Sequence, residues 1–287
     1  MTTLGLVQLL FASLAIVMVG LGLSLRVADF AGLRARQREV LLALALQMAL
    51  LPACAYAIAL AFGLAGPVAV GMMLLAATPG SISANLYSHL FGGNVAFNIA
   101  LTGLNTLLCA LTLPLVTGWA IRHFTGGSQA VPMQWDKAGE TIAVVVVPVL
   151  AGMLVAARLP RVAARLATPV KILSAVVVIV FSGAAIVREW DALRAGFLEI
   201  GLAVLVFNAV GIAAGAIGGR LVARGEAEAV TITFQVSIHN AILALYVALS
   251  VLGVPLMALP AALYSITMNV FALAFGLLVA ARRRQLR

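Results

Sequence analysis

Charge is what this chain has least of. Only 9% of its 287 residues are Asp, Glu, Lys or Arg, against roughly 25% in a soluble globular domain. Hydrophobic residues make up 64%, and the mean hydropathy is +1.16. So few charges cannot cover a water-facing surface, so the chain reads as an integral membrane protein. Cysteine is nearly missing too, and two in this length exclude a secreted disulfide scaffold. Cys54 and Cys109 both lie in apolar stretches and read as free packing thiols. The shortage of polar residues excludes intrinsic disorder. Long apolar runs without polar–apolar alternation exclude a membrane β-barrel. Lysine occurs twice against sixteen arginines, a bias found in GC-rich bacterial genomes.

A net charge of +9 raises the question of nucleic acid. The basic residues instead sit in short clusters between apolar runs, as membrane topology requires. A spanning helix needs about 20 apolar residues. Nine such stretches are expected: 4–25, 40–62, 67–91, 94–121, 141–157, 171–187, 197–217, 229–252 and 258–281. The first lacks the basic n-region and cleavage site of a signal peptide. One set of intervening loops holds Arg26, Arg34, Arg36, Arg38, Arg158, Arg161, Arg165, Lys171, Arg220, Arg224 and Arg282, Arg283, Arg284, Arg287, which is 14 basic residues. The opposite set holds 4: Arg122, Lys137, Arg188 and Arg194. This division puts the C-terminus in the cytoplasm and, with nine spans, the N-terminus outside. Miscounting by one span would mix the two sets.

Acidic residues are missing at membrane depth. Asp29, Asp136, Glu189, Asp191, Glu226 and Glu228 fall in loops, and Glu39, Glu140 and Glu199 near helix ends. The interior must therefore work with neutral polar groups, which are costly in hydrocarbon unless paired. Two clusters of them stand out. The third span carries Thr78-Pro79-Gly80-Ser81-Ile82-Ser83-Ala84-Asn85. Proline removes a backbone donor and glycine weakens the helix beside it, so a break is expected, facing protein or a wet cavity. The eighth span packs Gln235, Ser237, His239 and Asn240 into six residues without a proline. Each cluster precedes a short turn and a further span, and the fourth span adds Asn98, Thr102, Asn105 and Thr106. Broken or polar helices in matching positions of two halves are the sequence sign of an inverted-repeat secondary transporter.

The run Thr78-Pro79-Gly80 to Asn85, then Gly93-Asn94-Val95-Ala96, then Thr102 and Thr106, resembles the bile acid:sodium symporter family. Gln47 five residues before Pro52, and Gln235 with His239-Asn240, extend the resemblance over essentially the whole chain. It implies an all-α membrane fold in a nine-helix form, lacking the first helix of ten-helix members. A panel of spans 1, 5 and 6 would face a core of spans 2–4 and 7–9, with spans 3 and 8 crossing. In residue terms, 1–38 is the first panel helix and cytoplasmic loop, 39–125 the first core half, 126–190 the other panel helices, and 191–287 the second core half. Family members bind two sodium ions beside the crossing and carry an organic anion between core and panel.

Carried over by position, Gln47 matches a sodium-ligand glutamine, Asn85 and Asn240 the paired asparagines, and Thr102 a hydroxyl ligand. The departures are chemical. The shared sodium-ligand glutamate falls at Gln235, a glutamine at His239, and two serines at Ala84 and Asn98. Opposite unit charges 4 Å apart attract by about 4 kcal/mol at an effective dielectric of 20, and Gln235 forgoes that attraction. His239 supplies no side-chain oxygen. Two complete sodium sites are therefore not expected; one weakened site remains at Asn85, Asn98, Thr102 and Gln235. An imidazole with an ordinary pKa of about 6.5 offers a proton as the other coupling ion. The open readings of His239 are a neutral hydrogen-bonding ring, a proton carrier and a substrate contact. His89 reads as a polar helix-end residue, His123 as a loop residue, and Asn208 as either a core-site or an interhelical residue.

The polar clusters predict a secondary transporter, and the resemblance implies that its cargo is a small organic anion, with no organic cofactor. Its partners would be that anion and membrane lipid, in a bacterial inner membrane. The binding core comprises Gln47, Pro79, Gly80, Ser81, Ser83, Asn85, Asn98, Thr102, Thr106, Gln235, Ser237, His239 and Asn240. A membrane-embedded transferase would need acidic metal motifs, which are missing at depth. A channel or a non-transporting sensor is the alternative.

Overall fold

The computed structural model describes residues 3–64, 66–126 and 135–285. Among the described residues the regular structure is helical, with a single isolated β-bridge. In chain order the helices are α1 (Thr3–Leu23), α2 (Val27–Arg34), α3 (Gln37–Ala45), α4 (Leu51–Ala61), α5 (Gly66–Ala77), α6 (Ile82–Leu90) and α7 (Val95–Thr125). They continue as α8 (Trp135–Arg158), α9 (Pro160–Arg188), α10 (Trp190–Ala195), α11 (Phe197–Val222), α12 (Glu226–Ser237), α13 (Ala241–Tyr246) and α14 (Leu259–Gln285). Five helical stretches are long and apolar enough to cross a bilayer, or six when α1 and α2, bent by 64°, count as one. The helices flanking the two polar clusters are individually shorter than a span.

The basic stretch after the first expected span is more ordered than a loop. The Arg26 backbone N–H donates to Asp29 Oδ2 at 2.8 Å, which starts α2. Glu226 and Glu228, expected in a loop, open the first turn of α12 instead. Acidic groups are favourable at that end of a helix.

Prolines shape the elements that reach the centre. Pro52 has no N–H to give the Met48 carbonyl, and its ring crowds that carbonyl. The helix widens into a π turn at Leu46–Leu50, closed by Leu51 N–H to the Leu46 carbonyl. This turn carries Gln47, 2% exposed, into the interior. Pro79, which also lacks an N–H, instead ends α5 at Ala77. Helix packing elsewhere uses small residues. A Cβ on Gly215 would lie 2.7 Å from Thr233 Cα, and one on Gly219 2.8 Å from the Ala229 carbonyl. Thus α11 and α12 meet backbone to backbone, the close approach favoured between helices in lipid.

Candidate functional site

The two interrupted helices are joined at their breaks. The Ser81 N–H donates to the Ile238 carbonyl at 2.8 Å, and the Asn240 N–H to the Pro79 carbonyl at 2.8 Å. Gly80 and His239 thus form an antiparallel bridge between two short extended segments. Each break supplies the backbone partners that the other has lost, which hydrocarbon cannot do. Side chains finish the ends. Ser81 caps α6 by accepting from Ser83 N–H at 3.4 Å. Asn240 caps α13 by accepting from Leu243 N–H at 3.1 Å. Tyr264 Oη donates to the Ser237 carbonyl at 2.6 Å, taking up the last turn of α12.

One polar group lies on the α7 side of the bridge. Thr102 Oγ1 is 2.7 Å from Gln235 Oε1 and 2.8 Å from the Asn98 carbonyl. Asn98 Nδ2 donates to Ser88 Oγ at 2.8 Å. Gln235 Nε2, Asn98 Oδ1 and Asn85 Oδ1 are buried without a hydrogen-bond partner among the described residues. The Gln235 amide lies against Gly80: a Cβ there would overlap Nε2 and sit 2.7 Å from Cδ. Glycine is required at this contact because a side chain would occupy the space of the amide.

A second group centres on His239, which is fully buried. Its Nδ1 is 3.1 Å from Gln47 Nε2 and 3.2 Å from the Thr78 carbonyl. Gln47 Nε2 also donates to that carbonyl at 3.2 Å. The rings of Phe207 and Tyr264 enclose the imidazole at centroid distances of 5.4 and 5.6 Å. His239 Nε2 and Gln47 Oε1 have no hydrogen-bond partner among the described residues. Nδ1 therefore lies between a donor and an acceptor, so either protonation state of that nitrogen finds a partner.

The expected residues divide accordingly. Gln47 joins His239, and Gln235 joins Thr102 and Asn98, while Pro79 and Gly80 form the seam between the two groups. Asn85 and Asn240 each follow a break but share no hydrogen bond among the described residues. Thr106 and Ser237 bond back to their own helices, at 2.8 Å to the Thr102 carbonyl and 2.7 Å to the Thr233 carbonyl. Asn208 takes the interhelical role, donating to Thr267 Oγ1 at 3.0 Å. His123 is in the last turn of α7 rather than a loop, 3.2 Å from Tyr56 Oη and stacked on Trp119. Ser88 and Tyr264 were not singled out from sequence. A lone hydroxyl on an otherwise apolar face carries no local signal of its partner.

Beside the first group, a cavity of about 250 Å³ is lined by Ser24, Asn85, Leu86, His89, Val95 and Ile99. It lies between the end of α1, α6 and the start of α7. A charged cluster lies at the arginine-rich end. Glu228 accepts from Arg36 at 2.7 Å and from Asn94 Nδ2 at 3.1 Å. Burial alone would raise the Glu228 carboxyl, but these bonds outweigh it and hold its pKa below the ordinary range.

The sequence model of the sodium bile acid symporter family matches residues 11–195. A probable sodium/metabolite cotransporter, the chloroplastic BASS1 of Arabidopsis thaliana, is 25% identical over 256 residues, covering 88% of this chain and 62% of the relative. The chain thus spans less than two thirds of that plant protein. An uncharacterized sodium-dependent transporter of Bacillus subtilis (strain 168), YocS, is 25% identical over 259 residues, covering 89% of this chain and 78% of the relative. Sodium/bile acid cotransporter 4 of Homo sapiens is 38% identical over 112 residues, 38% of this chain and 26% of that protein.

Proposed function

The chain belongs to the sodium bile acid symporter family, and on that premise we propose that it moves a small organic anion across the membrane by alternating access. One observation carries this reading. Two helix breaks are paired at their backbones, and around them Gln47 Oε1, Asn85 Oδ1, Asn98 Oδ1, Gln235 Nε2 and His239 Nε2 are buried without partners. Each unmet group costs about 1–3 kcal/mol. A permanent packing core would have eliminated several; a site that loads and unloads a ligand keeps them. The N-terminus of α6, beside the cavity that Asn85 lines, suits an anionic group.

In this reading nine spans form a panel of spans 1, 5 and 6 and a core of the other six. The protein lies in the bacterial inner membrane, with its N-terminus outside and its C-terminus in the cytoplasm. Amide and hydroxyl groups hold the anion, and the seam between the two breaks is the pivot of the binding core.

The coupling ion is cargo, and the residues favour a proton over sodium. Sodium seeks oxygen ligands and negative charge, whereas the group at Asn85, Asn98, Thr102 and Gln235 is neutral. His239 takes the coupling proton on Nδ1 and donates it to the Thr78 carbonyl. Gln47 then turns its amide to remove Nε2 from that proton. Release reverses both steps.

The test is uptake of organic anions by the full chain in proteoliposomes, with sodium and proton gradients imposed separately. A pH gradient should drive uptake, sodium should add little, and His239→Gln should abolish the pH response. Gln235→Glu with His239→Gln should strengthen sodium dependence by restoring a charge and an oxygen ligand. Strong sodium dependence of the unmodified chain, without a pH-gradient effect, refutes proton coupling. Binding without flux for every anion that binds refutes transport itself.

A further inference from the structure

A second cavity lies away from the paired breaks, between α11, α12 and α14, and has a volume of about 630 Å³. That falls within the size of small-ligand sites. Its walls include Ala216, Val230, Phe275 and Val279, and its rim carries Arg220 and Arg282. The cavity is amphiphilic: apolar toward the membrane interior and cationic at the arginine-rich end.

Two of the rim charges have no carboxylate partner among the described residues. Arg36 is bound to Glu228 at 2.7 Å, and Arg283 is bound to Glu226 at 3.2 Å and to the Phe91 carbonyl at 3.0 Å. Arg224 pairs with Glu39 at 3.4 Å. Arg220 and Arg282 have no carboxylate partner among the described residues, and both are exposed. Glu226, which also reaches the rim, is held by Arg283. Two free guanidinium groups at one mouth suit a phosphate, which each can bind through paired N–H donors.

The surroundings say which phosphate. Ile217, Leu221 and Leu278 stand exposed on the same helices, Leu221 at 77% and Leu278 at 69%. In a membrane protein such side chains face acyl chains, so the cavity opens to lipid. Basic pockets between spanning helices at the membrane surface bind anionic headgroups.

We propose that this cavity binds an anionic phospholipid of the adjoining leaflet, with its phosphate between Arg220 and Arg282 and an acyl chain along Phe275 and Val279. The seated chain would brace α12 close to its break. Thr233 lines the cavity, and its carbonyl accepts from Ser237 Oγ at 2.7 Å, at the last residue of the helix. The site is separate from the transport reading and stands without it.

The test uses the purified full chain in neutral detergent. Retained lipid is counted by native mass spectrometry, and thermal stability is followed on adding phosphatidylglycerol, phosphatidylcholine or inorganic phosphate. Phosphatidylglycerol should be retained and should raise Tm, whereas the other two should not. Arg220→Gln with Arg282→Gln removes two exposed charges without disturbing packing. It should lower phosphatidylglycerol affinity by roughly thirtyfold, at the usual contribution of each basic residue near an anionic membrane surface. Arg158→Gln with Arg161→Gln removes the same charge elsewhere and should leave retention unchanged. Equal retention of phosphatidylcholine, unchanged retention in the Arg220/Arg282 variant, or an equal loss in the Arg158/Arg161 variant overturns the proposal. A matching Tm rise with inorganic phosphate alone would identify a soluble anion and overturn the lipid.

Discussion

Gly80→Ala should reveal how tightly the two breaks are fitted. The new Cβ would overlap Gln235 Nε2, sit 2.7 Å from Gln235 Cδ and lie 3.0 Å from the Gln235 carbonyl. Gln235 is only 1% exposed, so its amide has no solvent to swing into. Moving it breaks the 2.7 Å contact with Thr102, about 1 kcal/mol. Overpacking a closed interior adds about 1–3 kcal/mol. The expected loss is therefore about 3 kcal/mol, measured by reversible unfolding of the full chain in mixed micelles. Gln235→Ala empties the contested space, leaving only the tight approach to the backbone carbonyl. In that background Gly80→Ala should cost about 1 kcal/mol, a coupling of about 2 kcal/mol between the two positions. Additive losses, within about 0.5 kcal/mol, would refute the claim that glycine is required by the Gln235 amide.

Asn85 and Asn240 should separate stability from transport. Asn85 Oδ1 is buried without a partner among the described residues, an unmet group costing about 1–3 kcal/mol, so Asn85→Ala should be at least as stable as the parent yet take up substrate poorly. Asn240→Ala removes the cap on α13 and should cost about 1 kcal/mol as well as uptake; near-normal uptake in both variants removes them from the site. Glu228 lies outside the proposed eighth span and tests the arginine-rich end. Its carboxyl is held below the ordinary range, so its contribution is complete above an unfolded-state pKa of about 4.3 and is lost as pH falls through the lower folded value. Thermal unfolding at pH 7, 5 and 3 should therefore show a larger acid loss in the parent than in Glu228→Gln; equal losses refute the assignment.

Much of the molecule was legible because it follows from local chemistry. A chain with 9% charged residues must put its apolar surface into lipid, and Pro79 must end a helix because it lacks an N–H. Of the neutral polar residues singled out at positions 78–106 and 235–240, Thr78 meets His239 and Thr102 meets Gln235 across the two breaks, whereas Thr106 and Ser237 bond back to their own helices. The break in the other helix had no such sign. No proline occurs between Glu226 and Val254, yet α12 stops at Ser237. It stops there because partners distant in sequence replace its helical hydrogen bonds: the Pro79 carbonyl takes the Asn240 N–H, Ser81 takes the Ile238 carbonyl, and Tyr264 takes the Ser237 carbonyl. The pairing of Gln47 with His239 across 192 residues is of the same kind. By itself the sequence determined where the chain must be apolar, where one helix must fail and which neutral polar side chains were candidates for the interior. Only the tertiary structure decided which atoms those side chains meet, because a hydrogen bond is written in its donor's residue type, whereas the identity of its acceptor depends on how distant helices pack.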